Sequence, residues 1–411
     1  MHRILILTMC SMLVISTLVL NLNAGQSAQE QQETADYKKI HNGKTGLWGK
    51  NPEVTVELVK TIGSYDSSDD NYTFYIPSDV AVDNDGNIYV LDTGNHRIQK
   101  FNNEGKYLTT LGEEGQGPAE YKMPLSLDID DKNRLFISDQ GNLRIQVIDP
   151  NGKSLNTVSS DQSVGSVKLF SDGEMLMGGG GMLSGLLSMT EQDAQPGLIK
   201  HLSESGSIEK KFAQPLEYND FMLNRRGNYF HFTVDRNDNV YLAFDFQNRI
   251  DKYSPEGELL MQIDRELNYS TTPPKPDKDN LDVSQTRGGR RVMMRMPQMN
   301  AVSNGIAVDD KDHIWVVTVK RQLKDDERIN QNYNVNNDGS GNRDISVMVS
   351  GNTDVINTDM FELEIYDNEG RLLGKIPIEH FADDIRIFGD KLYILDKYRG
   401  MNFYEYRISE K

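Results

Sequence analysis

Cysteine is almost absent: Cys10 is the only one in 411 residues, and it lies inside an apolar N-terminal segment. The rest of the chain has no thiol and needs no disulfide. Basic charge is also scarce, with 44 Lys and Arg against 62 Asp and Glu for a net charge of −18. That balance argues against nucleic acid, whose binding rests on neutralising phosphates, and suits a well-solvated protein. No stretch after Leu20 is apolar enough to span a membrane. Catalytic signatures are missing as well. There is no G-x-S-x-G elbow and no phosphate-binding loop, because Gly178-Gly179-Gly180-Gly181 has no following Lys-Ser or Lys-Thr and reads as a hinge. His2, His41, His96, His201, His231, His313 and His380 are scattered without metal-ligand spacing. The sequence thus calls for no cofactor and no metal.

What is present begins with export. Arg3 precedes an apolar segment from Ile4 to Leu20, and Asn21-Leu22-Asn23-Ala24 follows. Residues 1–24 read as a signal peptide cleaved after Ala24 or Ala28; the alternative is an uncleaved anchor. Cys10 interrupts the apolar segment rather than closing it, which argues against lipidation. The expected destination is the periplasm or the extracellular space. Residues 25–50 are polar, without periodicity, and are expected to be a flexible leader.

A repeat starts after the leader. Pro77 recurs as Pro124, Asp83 as Asp130, Asp92 as Asp139, Asn95 as Asn142 and Gly105 as Gly152, each 47 residues on. Arg97-Ile98-Gln99 recurs as Arg144-Ile145-Gln146. Within the unit, short apolar runs such as Ile88-Tyr89-Val90-Leu91 alternate with Asn-, Asp- and Gly-rich turns. The turns Asp83-Asn84-Asp85-Gly86-Asn87 and Asp309-Asp310-Lys311-Asp312 lack the spacing and terminal glutamate of a calcium loop and read as hairpins. Four strands that are apolar on both faces need neighbours on each side, and blades around an axis supply them. His96 belongs to the repeat and is expected to be structural.

The segment Asp92-Thr93-Gly94-Asn95-His96-Arg97-Ile98-Gln99-Lys100-Phe101, after Pro77 and Asp83 to Val90, resembles an NHL repeat. In the second unit Leu143 replaces the histidine. The resemblance implies an all-β, six-bladed β-propeller of four-stranded antiparallel blades. A fourth blade matches the first at an offset of 152: Asp235, Asn239, Tyr241, Arg249, Ile250, Lys252 and Gly257 stand for Asp83, Asn87, Tyr89, Arg97, Ile98, Lys100 and Gly105, although Phe244 replaces Asp92. The last blade, ending near Ile408, has three strands, while a spare strand lies at Val54–Ile62. Pairing the two closes the ring and removes an open edge. The propeller is expected over residues 51–411.

This topology puts the long segments Gly178–Pro196, Ala213–Asn228, Glu266–Asn304 and Lys320–Asp359 on one face, opposite the short turns. Long loops on one side of a rigid scaffold carry binding surfaces; drift in tolerant loops is the plainer reading. Arg225, Arg226, Arg287, Arg290, Arg291, Arg295, Lys320 and Arg321 lie in these loops and are the candidate ligand-binding residues. Arginine forks suit carboxylates. The alternative is a solvated loop in which they pair with Asp282, Asp325, Asp326 and Glu327. Asn330 to Asn357 is Asn-, Asp-, Ser- and Gly-rich and is expected to be a mobile flap or locally disordered. A monomeric exported binding or scaffold module is favoured, holding a protein, peptide or anionic glycan on the loop-rich face. Six-bladed propellers also include metal-dependent lactonases and an amidating lyase, so a metal-dependent hydrolase or lyase with a central site is the alternative. No residue is identified as catalytic.

Overall fold

In each repeat unit the second strand is covered on both faces, as the continuous apolar runs require. Ile88–Asp92, Leu135–Asp139, Val240–Phe244 and Ile314–Val319 are buried along their whole length. The computed structural model describes residues 37–160, 164–179, 197–275, 281–286, 289–294, 297–337 and 343–411. The expected signal peptide lies outside them. Residues from Lys39 onward form one compact unit.

Six four-stranded antiparallel sheets are the blades of a propeller. Blade 1 is Asp79–Val82, Ile88–Asp92, Arg97–Phe101 and Tyr107–Leu111, and blade 2 is Pro124–Ile129, Leu135–Asp139, Arg144–Ile148 and Ser154–Ser159. Blade 3 is Ser166–Leu169, Met175–Gly178, Ile199–Leu202 and Ile208–Phe212. Blade 4 is Phe230–Val234, Val240–Phe244, Ile250–Tyr253 and Leu259–Arg265. Blade 5 is Ser303–Val308, Ile314–Val319, Asn357–Tyr366 and Leu372–His380. Blade 6 takes Asp384–Phe388, Lys391–Asp396 and Asn402–Glu410 from the C-terminal end, and its outer strand is Val54–Ile62. That strand pairs antiparallel with the last one, Val54 opposite Glu410 and Ile62 opposite Phe403, and the ring is closed as the repeat count requires.

Packing follows from the two-faced blades. The buried apolar residues among those described form six clusters, each filling one seam between neighbouring blades. Leu91, Ile98 and Ile137, for example, meet between blades 1 and 2, and Trp315, Leu363 and Ile394 between blades 5 and 6. Each seam buries apolar surface that an isolated blade would expose, which is the main stabilising term.

The hairpin chemistry explains the repeated residues. The Asp83 carboxylate accepts the backbone N–H groups of Asp85 and Asn87, the Asn87 amide and the Tyr89 hydroxyl. Asp235 repeats this with Asn237, Asn239 and Tyr241, and Asp309 with Lys311, His313 and Trp315. These aspartates are filled by donors of their own turns. Gly105 and Gly152 close the outer turns at φ +83° and +88°, where a Cβ would strain the backbone.

Two segments differ from expectation. Part of the segment read as a flexible leader is ordered: Lys38–Asn42 is a fifth strand on the outer edge of blade 4. Asn42 donates from its side chain to the Gly370 carbonyl and accepts from Leu372 N–H. Leu47 and Trp48 then donate backbone hydrogen bonds to Leu372 and Leu373. Polarity hid this strand because it lies on the outside of the disc. The segment read as a mobile flap contains a β-hairpin, Ile329–Asn337 with Arg343–Gly351. Its Asn- and Ser-rich composition masked a period of two in Ile345, Val347 and Val349. A second hairpin pairs Leu281–Thr286 with Gly289–Met294.

Candidate functional site

The first strand of each blade lines the propeller axis, and strand register aligns these strands with one another. Asp79 stands opposite Leu91, Ser126 opposite Ser138, Ser166 opposite Gly178, His231 opposite Ala243 and Asp384 opposite Leu395. Two residues further on come Ala81, Asp128, Lys168, Thr233 and Arg386. Strand periodicity turns both positions of each pair toward the same side.

The charged members pair across the axis. Arg386 Nε lies 2.9 Å from Asp79 Oδ1, and its Nη1 lies 2.9 Å from Asp384 Oδ1. Lys168 Nζ is 3.8 Å from Asp79 Oδ2, and His231 Nδ1 is 3.3 Å from Asp384 Oδ1. The Asp79 carboxylate also accepts the N–H groups of Val80 and Leu127, and Asp128 accepts those of Ile129 and Leu169. Two cavities meet at this layer. One of 440 Å³ opens on the short-turn face, one of 390 Å³ on the loop-rich face, and Lys168 and Arg386 line both.

The loop-rich cavity is assembled from blade-to-blade links and second-to-third loops. The links contribute Ser78, Met123, Tyr229 and Asp383, and the loops contribute Thr93, Gln140, Asp245, Phe246, Lys397 and Tyr398. Thr93, Gln140 and Asp245 occupy one repeat position, at offsets of 47 and 152. The hairpin of blade 5 reaches the cavity too, contributing Gln331 and Val347. It is tied down at three places. The Tyr75 hydroxyl donates to the Val347 carbonyl at 2.7 Å, Val347 is buried against blades 6 and 1, and Arg399 Nη2 donates to the Glu327 carbonyl.

Electrostatics single out His231 and Asp245. Burial lowers the affinity of the His231 ring for its proton, but the carboxylates of Asp384 and Asp245 outweigh this and carry its pKa up to about 9. Asp245 is raised to about 6, chiefly by burial, with His231 holding it down in part. Burial works against the Asp384 carboxylate, yet Arg386 and His231 hold it well below the usual range. Asp383 is raised by burial. The lining balances: Asp79, Asp245, Asp383 and Asp384 face Lys168, His231, Arg386 and Lys397. Among the described residues no group of three His, Cys, Asp or Glu is placed to hold a metal.

The arginines singled out by sequence separate. Arg225 and Arg226 lie on the short helix Phe221–Gly227, capped by the Asp220 side chain on Leu223 N–H, in the link that enters blade 4. Neither lines the cavity; they touch residues that do, the Arg226 guanidinium lying 4.6 Å from the Phe246 ring centroid and Arg225 beside Tyr229. Arg321 is not a free cation. It forms a fork to Glu327 at 2.6 and 2.7 Å and also pairs with Asp359. That is the paired arrangement foreseen as the alternative. Lys320 is exposed on the same loop. Arg290 and Arg291 lie in the strand Gly289–Met294, and Arg287 and Arg295 fall outside the described residues. Sequence reasoning missed His231, Asp245 and the axial charges, although alignment by repeat position places them together. His96 accepts from Met123 N–H, binding blade 1 to the next link.

Comparisons with known proteins bear out the architecture. Residues 74–101 match the NHL repeat. A DUF4221-family protein of Bacteroides vulgatus has the same fold at a TM-score of 0.54 and 10% identity, covering 88% of this chain and 100% of its own. A Bacteroides fragilis protein described as exported follows at 0.51 and 11%, covering 91% and 100%. Virginiamycin B lyase of Staphylococcus aureus is similar at 0.44 and 11% over 86% and 99%, too distant for a functional comparison. The sequence matches no curated protein. No helix among the described residues is long and apolar enough to cross a membrane. The chain is a six-bladed β-propeller, and residues 74–101 of its first blade match the NHL repeat.

Proposed function

We propose that this protein is an exported, monomeric binding module that holds a small polar ligand in the cavity on its loop-rich face. The observation that carries this reading is the construction of the cavity. Its floor is the ion-paired axis, and its rim bears an inserted hairpin that no repeat unit requires. A volume of 390 Å³ suits a small molecule. Aromatic Tyr229, Phe246 and Tyr398 line it together with Ser78, Thr93 and Gln140, a mixture that fits a ligand with both an apolar face and polar edges. Export is supported by the N-terminal segment and by the description of the Bacteroides fragilis protein of similar fold.

The displaced titrations of His231 and Asp245 favour a second reading, acid–base chemistry at the same cavity. A lactonase- or lyase-like reaction would be revealed by a stoichiometric metal in the purified protein.

The binding reading is tested by thermal denaturation of the purified protein against a library of sugars, amino acids and organic acids. At least one compound is expected to raise the melting temperature. Gln331→Trp, which fills the cavity from the hairpin, should abolish that rise. A library without effect, or equal shifts in the variant, would remove the cavity as the site.

A further inference from the structure

The charged residues of the axial layer are spent on one another, with one exception. Asp79 is shared by Arg386 and Lys168 and also accepts two backbone N–H groups. Asp384 is held by Arg386 at 2.9 Å and by His231 Nδ1 at 3.3 Å. His231 Nε2 is the exception. Asp245 Oδ1 lies 3.7 Å from it, beyond hydrogen-bond length. His231 is also the most open member of the set. Its side chain is 28% exposed, against 15% for Arg386 and 8% for Lys168, and it lines the loop-rich cavity.

The surroundings of the ring decide what it can receive. Asp384, Asp245 and Asp383 face it, and Arg386 is the cation beside it. Those carboxylates carry its pKa up to about 9, so both ring nitrogens bear protons at neutral pH. A charged donor makes a stronger hydrogen bond than a neutral one. An anionic ligand at Nε2 would stand beside Asp245 and Asp384 and be repelled, and a cationic one would face the imidazolium itself. An uncharged acceptor oxygen meets neither penalty. Tyr229, Phe246 and Tyr398 in the same lining offer apolar surface to the C–H face of a sugar ring.

We infer that His231 reads the ligand of this cavity: its Nε2–H donates to an acceptor oxygen of an uncharged, hydroxyl-rich ligand of the neutral-sugar class. Asp384 and Asp245 fix the ring for this task. The inference rests on the cavity being the binding site, as proposed above.

The probes are neutral sugars with charged counterparts, glucose with glucuronate and glucosamine, and galactose with galacturonate and galactosamine. Binding is read by thermal shift and titration calorimetry at pH 6.5. At least one neutral sugar is expected to bind, with its charged counterparts at least tenfold weaker. Its affinity should then fall as the pH rises through 9, because the sugar itself does not titrate there and His231 loses its proton. His231→Gln keeps a donor without a titrating group and should bind with a flat profile from pH 7 to 10. His231→Leu, confirmed as folded by circular dichroism, should bind at least tenfold more weakly than His231→Gln. A charged counterpart that binds as tightly as the neutral sugar overturns the uncharged class. Binding by His231→Leu at the parent's affinity removes His231 as the reader, and if Gln331→Trp still abolishes binding, the cavity stands without it. If no neutral sugar binds, the inference falls, while a shift in melting temperature with another compound, lost in Gln331→Trp, would keep the cavity.

Discussion

Blades 1 and 2 and blade 4 derive from the same repeat, yet they use its aspartate differently. In blades 1 and 2 the aspartate at the end of the second strand is a lock. Asp92 accepts from Tyr75 N–H at 2.8 Å, from Asn95 and from Arg97 Nε, and Asp139 does the same with Lys122, Asn142 and Arg144. The arginine then reaches the carbonyls of the incoming link, Thr73 in one case and Gly117 and Glu120 in the other. In blade 4 the lock position is Phe244, packed in the apolar seam with Arg249 over its ring. The carboxylate that holds Arg249 has moved to the third strand, where Asp251 replaces the repeat's glutamine. The next loop position carries Asp245, which is free to face the cavity. Blade 4 thus keeps the arginine, relocates its partner and turns a structural loop into part of the site.

The largest test of this contrast is to remove both kinds of carboxylate. Asp92→Ala leaves Arg97 and the Tyr75 amide without their buried partner, and should destabilise the protein by about 3–5 kcal/mol in chemical denaturation. Asp245→Asn should do the opposite: burial raises both carboxylates, but Asp92 is held by three donors whereas Asp245, raised to about 6, has Oδ1 buried without a hydrogen bond. A gain of about 1–2 kcal/mol is expected at pH 7, shrinking as the pH falls through 6 toward 4. Equal losses for the two variants would show that blade 4 is locked as blades 1 and 2 are.

His231 gives the next effect in size. Its folded pKa of about 9 lies above the ordinary value of 6.5. The stability it supplies is therefore fully present below pH 6.5 and is lost as the pH rises through 9. His231→Gln should flatten the difference between stability at pH 6.5 and pH 9.5 by about 2 kcal/mol. An unchanged pH profile in the variant would mean that Asp384 and Asp245 do not hold the imidazolium.

The smallest effect concerns the loop that follows the lock. His96 and Leu143 occupy the same left-handed position, at φ +55° and +53°. Histidine uses it, accepting from Met123 N–H, whereas leucine carries the strain without a side-chain hydrogen bond. Leu143→Asn should stabilise the protein by about 0.5–1 kcal/mol, and the opposite sign would show that Leu143 packing outweighs its backbone strain.

Much of this protein was legible from residues alone because its repeat is local. Turn chemistry at Asp83–Asn87 and fully apolar second strands specify a blade over some forty residues. The missing fourth strand of blade 6 calls for the segment Val54–Ile62, since an open edge would otherwise remain. The site was not legible in the same way. The arginines form one group by composition, yet folding spends Arg321 on Glu327 and sets Arg225 and Arg226 on a short helix entering blade 4, Arg226 over the Phe246 ring. The axial set is drawn from Asp79, Lys168, His231 and Asp384, residues separated by dozens to hundreds of positions and joined only when the ring closes. Local hydrogen bonding made the blades readable in order along the chain. Which charges meet at the axis was decided by radial packing, because a charge's partner is set by distance in space.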